Sequence, residues 1–376
     1  MAERSLYIDF EDERLREITL DDLDVLKSAF FELNPHLVGK ECFFFLDEIQ
    51  NVSGWEKFAR RLIERSPIQV VVTGSSSRMM PSEIHTALRG RAWSRELLPL
   101  SFREFLQIKG YAVADPAFGY GEQKALVKRE CLDFIQWGGF PEVALLGSKE
   151  EKSKVLKDYL EAMFFRDLAE RYRVTNIPLL DALLDTLFSS AAQKFSLTSF
   201  YKKNKADFPF SKDSLFDYYK YFLRSLLVYE VRLFSPSAYK RTRNPAKIYL
   251  VDTGLAKRVT SEDSGRLLEN AVFLELRRRG FELAYDGDEG ECDFVAKSPE
   301  GKLSCYQVTR ELQGNQRERE IQGLLKVCQK LKLREGWIIS SEEEEDFSVA
   351  GIDIHVVPFW RWAVSALSTT FSSGSR

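Results

Sequence analysis

Histidine and cysteine are scarce in this chain of 376 residues, at 3 and 5 respectively. Cys42, Cys131, Cys292, Cys305 and Cys328 are widely spaced and form no CxxC pair. That pattern argues against a disulfide framework or a zinc finger, and so few histidines argue against a metal centre of His/Cys type. No apolar run is long enough to cross a bilayer, and the N-terminus has no signal-peptide pattern. The expectation is a cytoplasmic protein with no membrane partner. An excess of charge is also missing: 54 Lys+Arg against 57 Asp+Glu leave a net charge of −3. Any nucleic-acid-binding surface must therefore be a local patch. The last absence is a loop of the form GxxxxGK[ST], whose backbone N–H groups and lysine cradle phosphates. "HLVGKE" contains Gly39-Lys40, but Glu41 stands where Ser or Thr is needed and Asn34 where the first Gly is needed. It also follows a predicted helix, whereas a phosphate loop follows a strand.

What is present suits a folded protein of two or three domains, with 44% hydrophobic and 30% charged residues. The first segment alternates apolar runs with amphipathic stretches. The pattern predicts strands over 5–10, 43–46 and 68–73 and helices over 21–33 and 55–65. Such alternation implies a parallel sheet covered on both faces. Arg95–Leu100 is expected to add a strand. Capping boxes are expected at Ser53/Glu56 and at Ser101/Glu104. The stretch "ECFFFLDEIQ" ends its strand in Asp47-Glu48, the ligand position of an open parallel sheet. An Asp there can hold magnesium and a following Glu can polarise water; the plainer reading is a solvated acidic pair that stops a strand. "VVTGSSS" and "LRGRAWSRELLPLSFREFL" then offer hydroxyls and Arg89 and Arg91.

Taken in order, "YIDFED", "FFFLDEIQNVSGWEKFARRL", "VVTGSSS" and "LRGRAWSRELLPLSFREFL" resemble the prokaryotic AAA-type ATPases that carry a C-terminal domain of unknown function. The resemblance continues through "GGFPEV", "KIYLVDTGL" and "GRLLENAVFLELRRRG". It implies an α/β multidomain protein: an incomplete parallel-sheet P-loop ATPase core (1–110), a helical lid (111–178), a winged helix (179–260), and a restriction-endonuclease-like αβ domain (261–365); the Ser/Thr-rich end, 366–376, is expected to be a disordered tail. It implies ATP and Mg2+ as cofactors. Asp47 and Glu48 take Walker B roles, Ser75 or Ser76 resembles a sensor, and Arg89 or Arg91 resembles an arginine finger acting on a neighbouring subunit of a homo-oligomer. The departure is the absent phosphate loop and its strand, which in this family lies at the centre of the sheet. An upstream start codon or a broken gene is the expected cause. Without the loop no cofactor-binding residue is assigned, and this chain is expected to be nucleotide-incompetent.

Two further constellations follow. Over 179–260 the pattern predicts three helices and then strands at 227–234 and 247–251, the order of a winged helix. Ser211 is expected to cap the third helix, with Leu215, Phe216, Tyr219, Phe222 and Leu223 inward and Lys212, Tyr218, Lys220, Tyr221 and Arg224 outward. Lys240, Arg241, Arg243 and Lys247 in "YKRTRNPAK" are expected in or beside a hairpin tip, where they can reach DNA phosphates; a solvated loop or a packing module is the alternative. In the last segment, restriction-type nucleases place Glu, Asp and Glu/Gln-x-Lys around magnesium. The corresponding residues here are Glu269, Asp293 and Gln307 as metal ligands, with Thr309 at the lysine position. ATPase, non-catalytic DNA-binding or scaffold protein, and metal-dependent nuclease are thus the competing functions.

Overall fold

The apolar runs near the N-terminus become β1 (Ser5–Asp9), β2 (Cys42–Asp47) and β3 (Ile68–Val72), connected through α1 (Leu20–Leu33) and α2 (Trp55–Arg65). They pair in parallel in the order β1-β2-β3. This computed structural model describes residues 2–15, 17–74, 84, 88, 90–113, 118–119, 121–206, 209–259, 263–287 and 292–365. The chain divides into two compact units, Met1–Leu97 and Leu98–Arg376. In the first unit Cys42, Phe44 and Leu46 of the central strand are buried, together with Phe30 of α1 and Trp55, Phe58 and Leu62 of α2. Among the described strands nothing pairs with the outer edge of β3, where Val71 stays 43% exposed.

Two local expectations for this unit fail. The strand expected at Arg95–Leu100 does not form, because a strand exists only by pairing and no described strand lies beside these residues. Helix α2 starts from Gly54, in the left-handed region at φ 79°, with no side-chain cap; the expected Ser53/Glu56 box is absent. Gly39-Lys40 lies in the turn after α1 and a short 3-10 turn at Pro35–Leu37, so it does not follow a strand.

The second unit opens with α3 (Phe102–Ile108), whose predicted capping box is formed. The Ser101 N–H donates to Glu104 Oε2 at 2.8 Å, and the Glu104 N–H donates to Ser101 Oγ at 3.2 Å. Next come α4 (Glu122–Trp137), α5 (Pro141–Leu145) and α6 (Lys149–Ala162), the last running on as a π-helical segment at Met163–Glu170. The remaining order is α7 (Ile177–Ser189), β4 (Gln193–Phe195), α8 (Leu197–Asn204), α9 (Lys212–Arg224), β5 (Val228–Leu233), α10 (Ala238–Arg243), β6 (Ala246–Leu250) and α11 (Ser264–Arg278). Then follow β7 (Glu282–Asp286), β8 (Cys292–Lys297), β9 (Leu303–Val308), α12 (Gly314–Lys330), β10 (Glu335–Ser340), β11 (Glu345–Val349), β12 (Ile352–Pro358) and α13 (Phe359–Trp362). All the strands of this unit join one nine-stranded mixed sheet, β11-β12-β10-β9-β8-β7-β5-β6-β4. The seam between its two halves is short: β5 meets β7 in parallel at Arg232↔Ala284 and Leu233↔Tyr285.

"GGFPEV" and "VDTGL" meet in this unit. Fully buried Asp252 accepts the Gly139 N–H on Oδ2 at 2.7 Å and the Gly254 N–H on Oδ1 at 2.8 Å. Gly138 has φ +82° and packs directly on this carboxylate. Burial pushes Asp252 up to about 6 against the pull of the two backbone donors. Its folded value lies above the unfolded one near 3.9. Its contribution to stability is therefore complete below about pH 4 and is lost as pH rises through 6, a change of about 3 kcal/mol. Denaturant melts between pH 4 and 7.5 are expected to show that slope, and Asp252→Asn is expected to flatten it. A slope unchanged in the variant would assign it to other groups.

Candidate functional site

Asp47 ends β2, and Glu48 follows it in the left-handed region at φ 51°. The Tyr7 hydroxyl of β1 donates to Asp47 Oδ2 at 2.8 Å, and Thr73, just past β3, donates its hydroxyl to Asp47 Oδ1. Those two hydroxyls, Thr73 first, hold the Asp47 carboxyl below its ordinary range. The Glu48 N–H donates to Thr73 Oγ1 at 3.3 Å, and the Gln50 amide donates to the Glu48 carboxylate. Hydroxyls from β1 and from the end of β3 thus converge on Asp47 at the end of β2. Arg91 pairs with Glu64 at 2.7 Å. Ser75, Ser76 and Arg89 lie outside the described residues.

The cations of "YKRTRNPAK" do not share one place. Residues 238–243 form the short helix α10, capped by Ser237, where a hairpin tip was expected. Lys240 and Arg243 are exposed on it, and the Arg243 guanidinium lies 5.5 Å from the Tyr239 ring centre. Arg241 is partly buried and closes its own loop, donating to the carbonyls of Ser235 at 2.6 Å and Pro236 at 3.2 Å. Helix α9 is capped by Ser211 as expected and buries Leu215, Tyr219 and Phe222. Tyr218 is buried too, while Phe216 is 45% exposed, which exchanges the two expected positions. Lys212 and Lys220 are exposed, Lys220 pairing with Asp217 at 3.3 Å. A groove of about 310 Å³ runs between α9 and α10, with Phe216, Lys220, Arg232, Arg241 and Arg243 among its walls.

Lys247 points elsewhere. Its Nζ lies 2.7 Å from Asp293 Oδ1 and 3.0 Å from Glu269 Oε1. These side chains are only 11%, 9% and 13% exposed. Strand alternation places Tyr249 on the same face as Lys247, and its hydroxyl donates to Glu269 Oε1 at 2.6 Å. Asp293 Oδ2 accepts the Val308 N–H at 2.9 Å. Burial and the Asp293 charge push Glu269 up to about 7, against Lys247 and the Tyr249 hydroxyl. Burial alone would lower the Lys247 ammonium, but the two carboxylates outweigh it and raise it. Gln307 is turned away: its amide NH2 donates to Glu320 Oε2 at 2.6 Å, and its oxygen accepts the Asp293 N–H at 3.2 Å. Thr309 donates to the Glu311 carbonyl at 2.9 Å. Cys292 and Cys305 fill the core beneath the sheet.

A domain-family model described as an AAA domain matches residues 1–106, and one described as a domain of unknown function (DUF8612) matches residues 128–265. Uncharacterized protein MJ1544 of Methanocaldococcus jannaschii is 36% identical over 375 residues, covering 96% of this chain and 82% of that protein. The chain belongs to this AAA-domain family. An uncharacterized protein of Haemophilus influenzae is 26% identical over 364 residues, covering 96% of this chain and 86% of the relative. The AAA-domain family implies ATP binding, and the described residues do not fit a nucleotide's phosphates. No GxxxxGK[ST] loop occurs in the sequence, and both Asp47 oxygens already accept hydroxyls. Nor does the acidic pair of the last segment fit a divalent ion, since an ammonium sits between Glu269 and Asp293. Among the described residues no group of three or more His, Cys, Asp or Glu side chains could hold a metal ion. No helix among them is long and apolar enough to cross a membrane. Sequence reasoning missed Lys247 and Tyr249 as partners of the acidic pair. The signal was their alternation with Ile248 and Leu250 in "KIYLV", which puts both on one face.

Proposed function

We propose that this member of the AAA-domain family works by binding nucleic acid through a winged helix, without hydrolysing nucleotide. The observation that carries the reading is the order α7-β4-α8-α9-β5-β6, with β6 paired antiparallel to both β4 and β5. In this arrangement α9 is the recognition helix and α10 replaces the loop of the wing. Lys240 and Arg243 on α10, with Lys212 and Lys220 on α9, supply a local basic patch on a chain of net charge −3. Phosphate contacts of this kind position a duplex without reading its sequence. In the same reading Asp47 and Glu48 are a Walker B pair retained without its phosphate loop, and the terminal segment is a nuclease-like fold without turnover.

About three phosphate contacts should give a log K against log salt slope near −3, from roughly −0.9 per phosphate neutralised. Replacing Lys240 and Arg243 together by alanine is expected to weaken all duplexes alike and to reduce the slope by about 2. Arg241 is left in place because it holds its own loop together. Fluorescence anisotropy across a salt series makes the measurement. Unchanged affinity in the double variant would turn the module into a packing element between its neighbours.

A further inference from the structure

We propose that Lys247 is the resident cation of the Glu269–Asp293 pair: its ammonium occupies the place where a restriction-type fold holds a divalent ion, closing that site to metal. The geometry is that of a coordinated cation. Nζ lies within 3.0 Å of one oxygen from each carboxylate, and Glu269 comes from α11 while Asp293 comes from β8. The lysine itself arrives from a third element, β6, which belongs to the preceding half of the sheet. Its position therefore differs from the one next to Gln307, which Thr309 fills. The other hydrogen bonds complete the site around the ammonium. Tyr249 donates to the same Glu269 oxygen as Lys247, and the Val308 N–H donates to the second Asp293 oxygen.

A magnesium ion in this place would need near-octahedral oxygen ligands at about 2.1 Å, several of them water. Here the Gln307 oxygen is turned onto the Asp293 N–H, and the surroundings are almost closed to solvent. Two carboxylates facing each other in such a place need either a shared proton or a cation to offset their repulsion. The ammonium provides one that cannot dissociate. It also ties β6 of the winged-helix half to α11 and β8 of the terminal half. The inference rests on the nuclease-like reading of the terminal segment and is separate from the nucleic-acid contact, since neither Lys240 nor Arg243 takes part in it.

The test is thermal melting with and without 1 mM Mn2+, on the full chain and its variants. Wild-type protein is expected to show no Mn2+-dependent shift. Lys247→Ala, which empties the cation position, is expected to melt roughly 5–10 °C lower. Mn2+ should recover several degrees of that loss, and the recovery should vanish in Lys247→Ala/Asp293→Asn. Lys247→Met keeps the length of the stem while removing the charge, and should show the same loss. A Mn2+ shift in wild-type protein that disappears in Asp293→Asn would overturn the proposal, because the carboxylates would then hold metal beside the lysine. Variants that melt like wild type would overturn it equally. If neither variant folds in the presence or absence of Mn2+, calorimetric titration of wild-type protein decides: no heat from Mn2+ supports the internal cation, and saturable binding lost in Asp293→Asn refutes it.

Discussion

Gly138→Ala is expected to destabilise the second unit by about 4 kcal/mol or more, a large share of the roughly 5–15 kcal/mol that holds an ordinary domain folded. Two effects act together at this residue. The backbone sits at φ +82°, a region that costs an L-residue roughly 1 kcal/mol or more. A Cβ there would also fall inside the van der Waals surface of the Asp252 carboxylate. That carboxylate cannot retreat, because its two oxygens hold the N–H groups of Gly139 and Gly254. Moving it would leave buried donors unpaired, at a cost of about 1–3 kcal/mol each. Gly110→Ala separates the two effects. Its φ is +86°, but nothing lies within 4 Å of the added methyl, so only the backbone cost of about 1 kcal/mol should appear. Urea melts of both variants make the comparison. Equal losses would show that the contact with Asp252 is slack.

With ATP and Mg2+, the chain is expected to release phosphate no faster than its own Glu48→Gln variant. P-loop enzymes obtain catalysis from phosphate positioning and electrostatics, and in this chain the positioning loop is missing. Asp47 meets hydroxyls from Tyr7 and Thr73, which orient a carboxylate but bind no polyphosphate. Turnover that disappears on Glu48→Gln would refute this. The same unit makes a second demand. Among the described strands none pairs with the outer edge of β3, and the Val71 side chain is 43% exposed. A strand and loop fused ahead of Met1 so as to pair with that edge should raise the melting temperature. Each new ladder bond should contribute about 1 kcal/mol, and covering the part of Val71 still exposed at most about 1 kcal/mol. An unchanged melting temperature would mean that the added strand does not dock.

Long apolar runs were readable because their period shows in the residues themselves. Phe43–Leu46 and Ile68–Val72 read as strands from their apolar, β-branched and aromatic residues, and Ser101 and Glu104 announced their helix by capping chemistry. Short elements were not. Gln193–Phe195 owes its strand character to its partner β6, and Glu345–Val349 owes its own to β12. Nothing in their composition announces either. Arg95–Leu100 shows the converse, strand-like residues that join no described strand ladder. The same limit governed the sites. Glu269 and Asp293 could be picked out by residue type and order. Lys247 was masked, because in the sequence it closes a run of cations at Lys240, Arg241 and Arg243, and its alternation with Ile248 and Leu250 shows only that it shares a face with Tyr249, not what that face meets. Tyr218 and Phe216 traded places for a similar reason: a helical wheel cannot tell which aromatic the Asn176 backbone will claim, and the Asn176 N–H donates to the Tyr218 hydroxyl at 3.2 Å.

The seam at Arg232↔Ala284 and Leu233↔Tyr285 bears on whether the modules are portable. A chain cut near residue 260 would leave β7 with a bare edge and remove the Tyr285 hydroxyl's acceptor, the Pro245 carbonyl at 2.6 Å. It would also separate Glu269 and Asp293 from the only ammonium that the described residues place between them. The last hundred residues are therefore not a detachable cassette. Grafted onto another protein they would carry an uncompensated acidic pocket, and shuffling at this junction should succeed only when the strand bearing Lys247 travels with them.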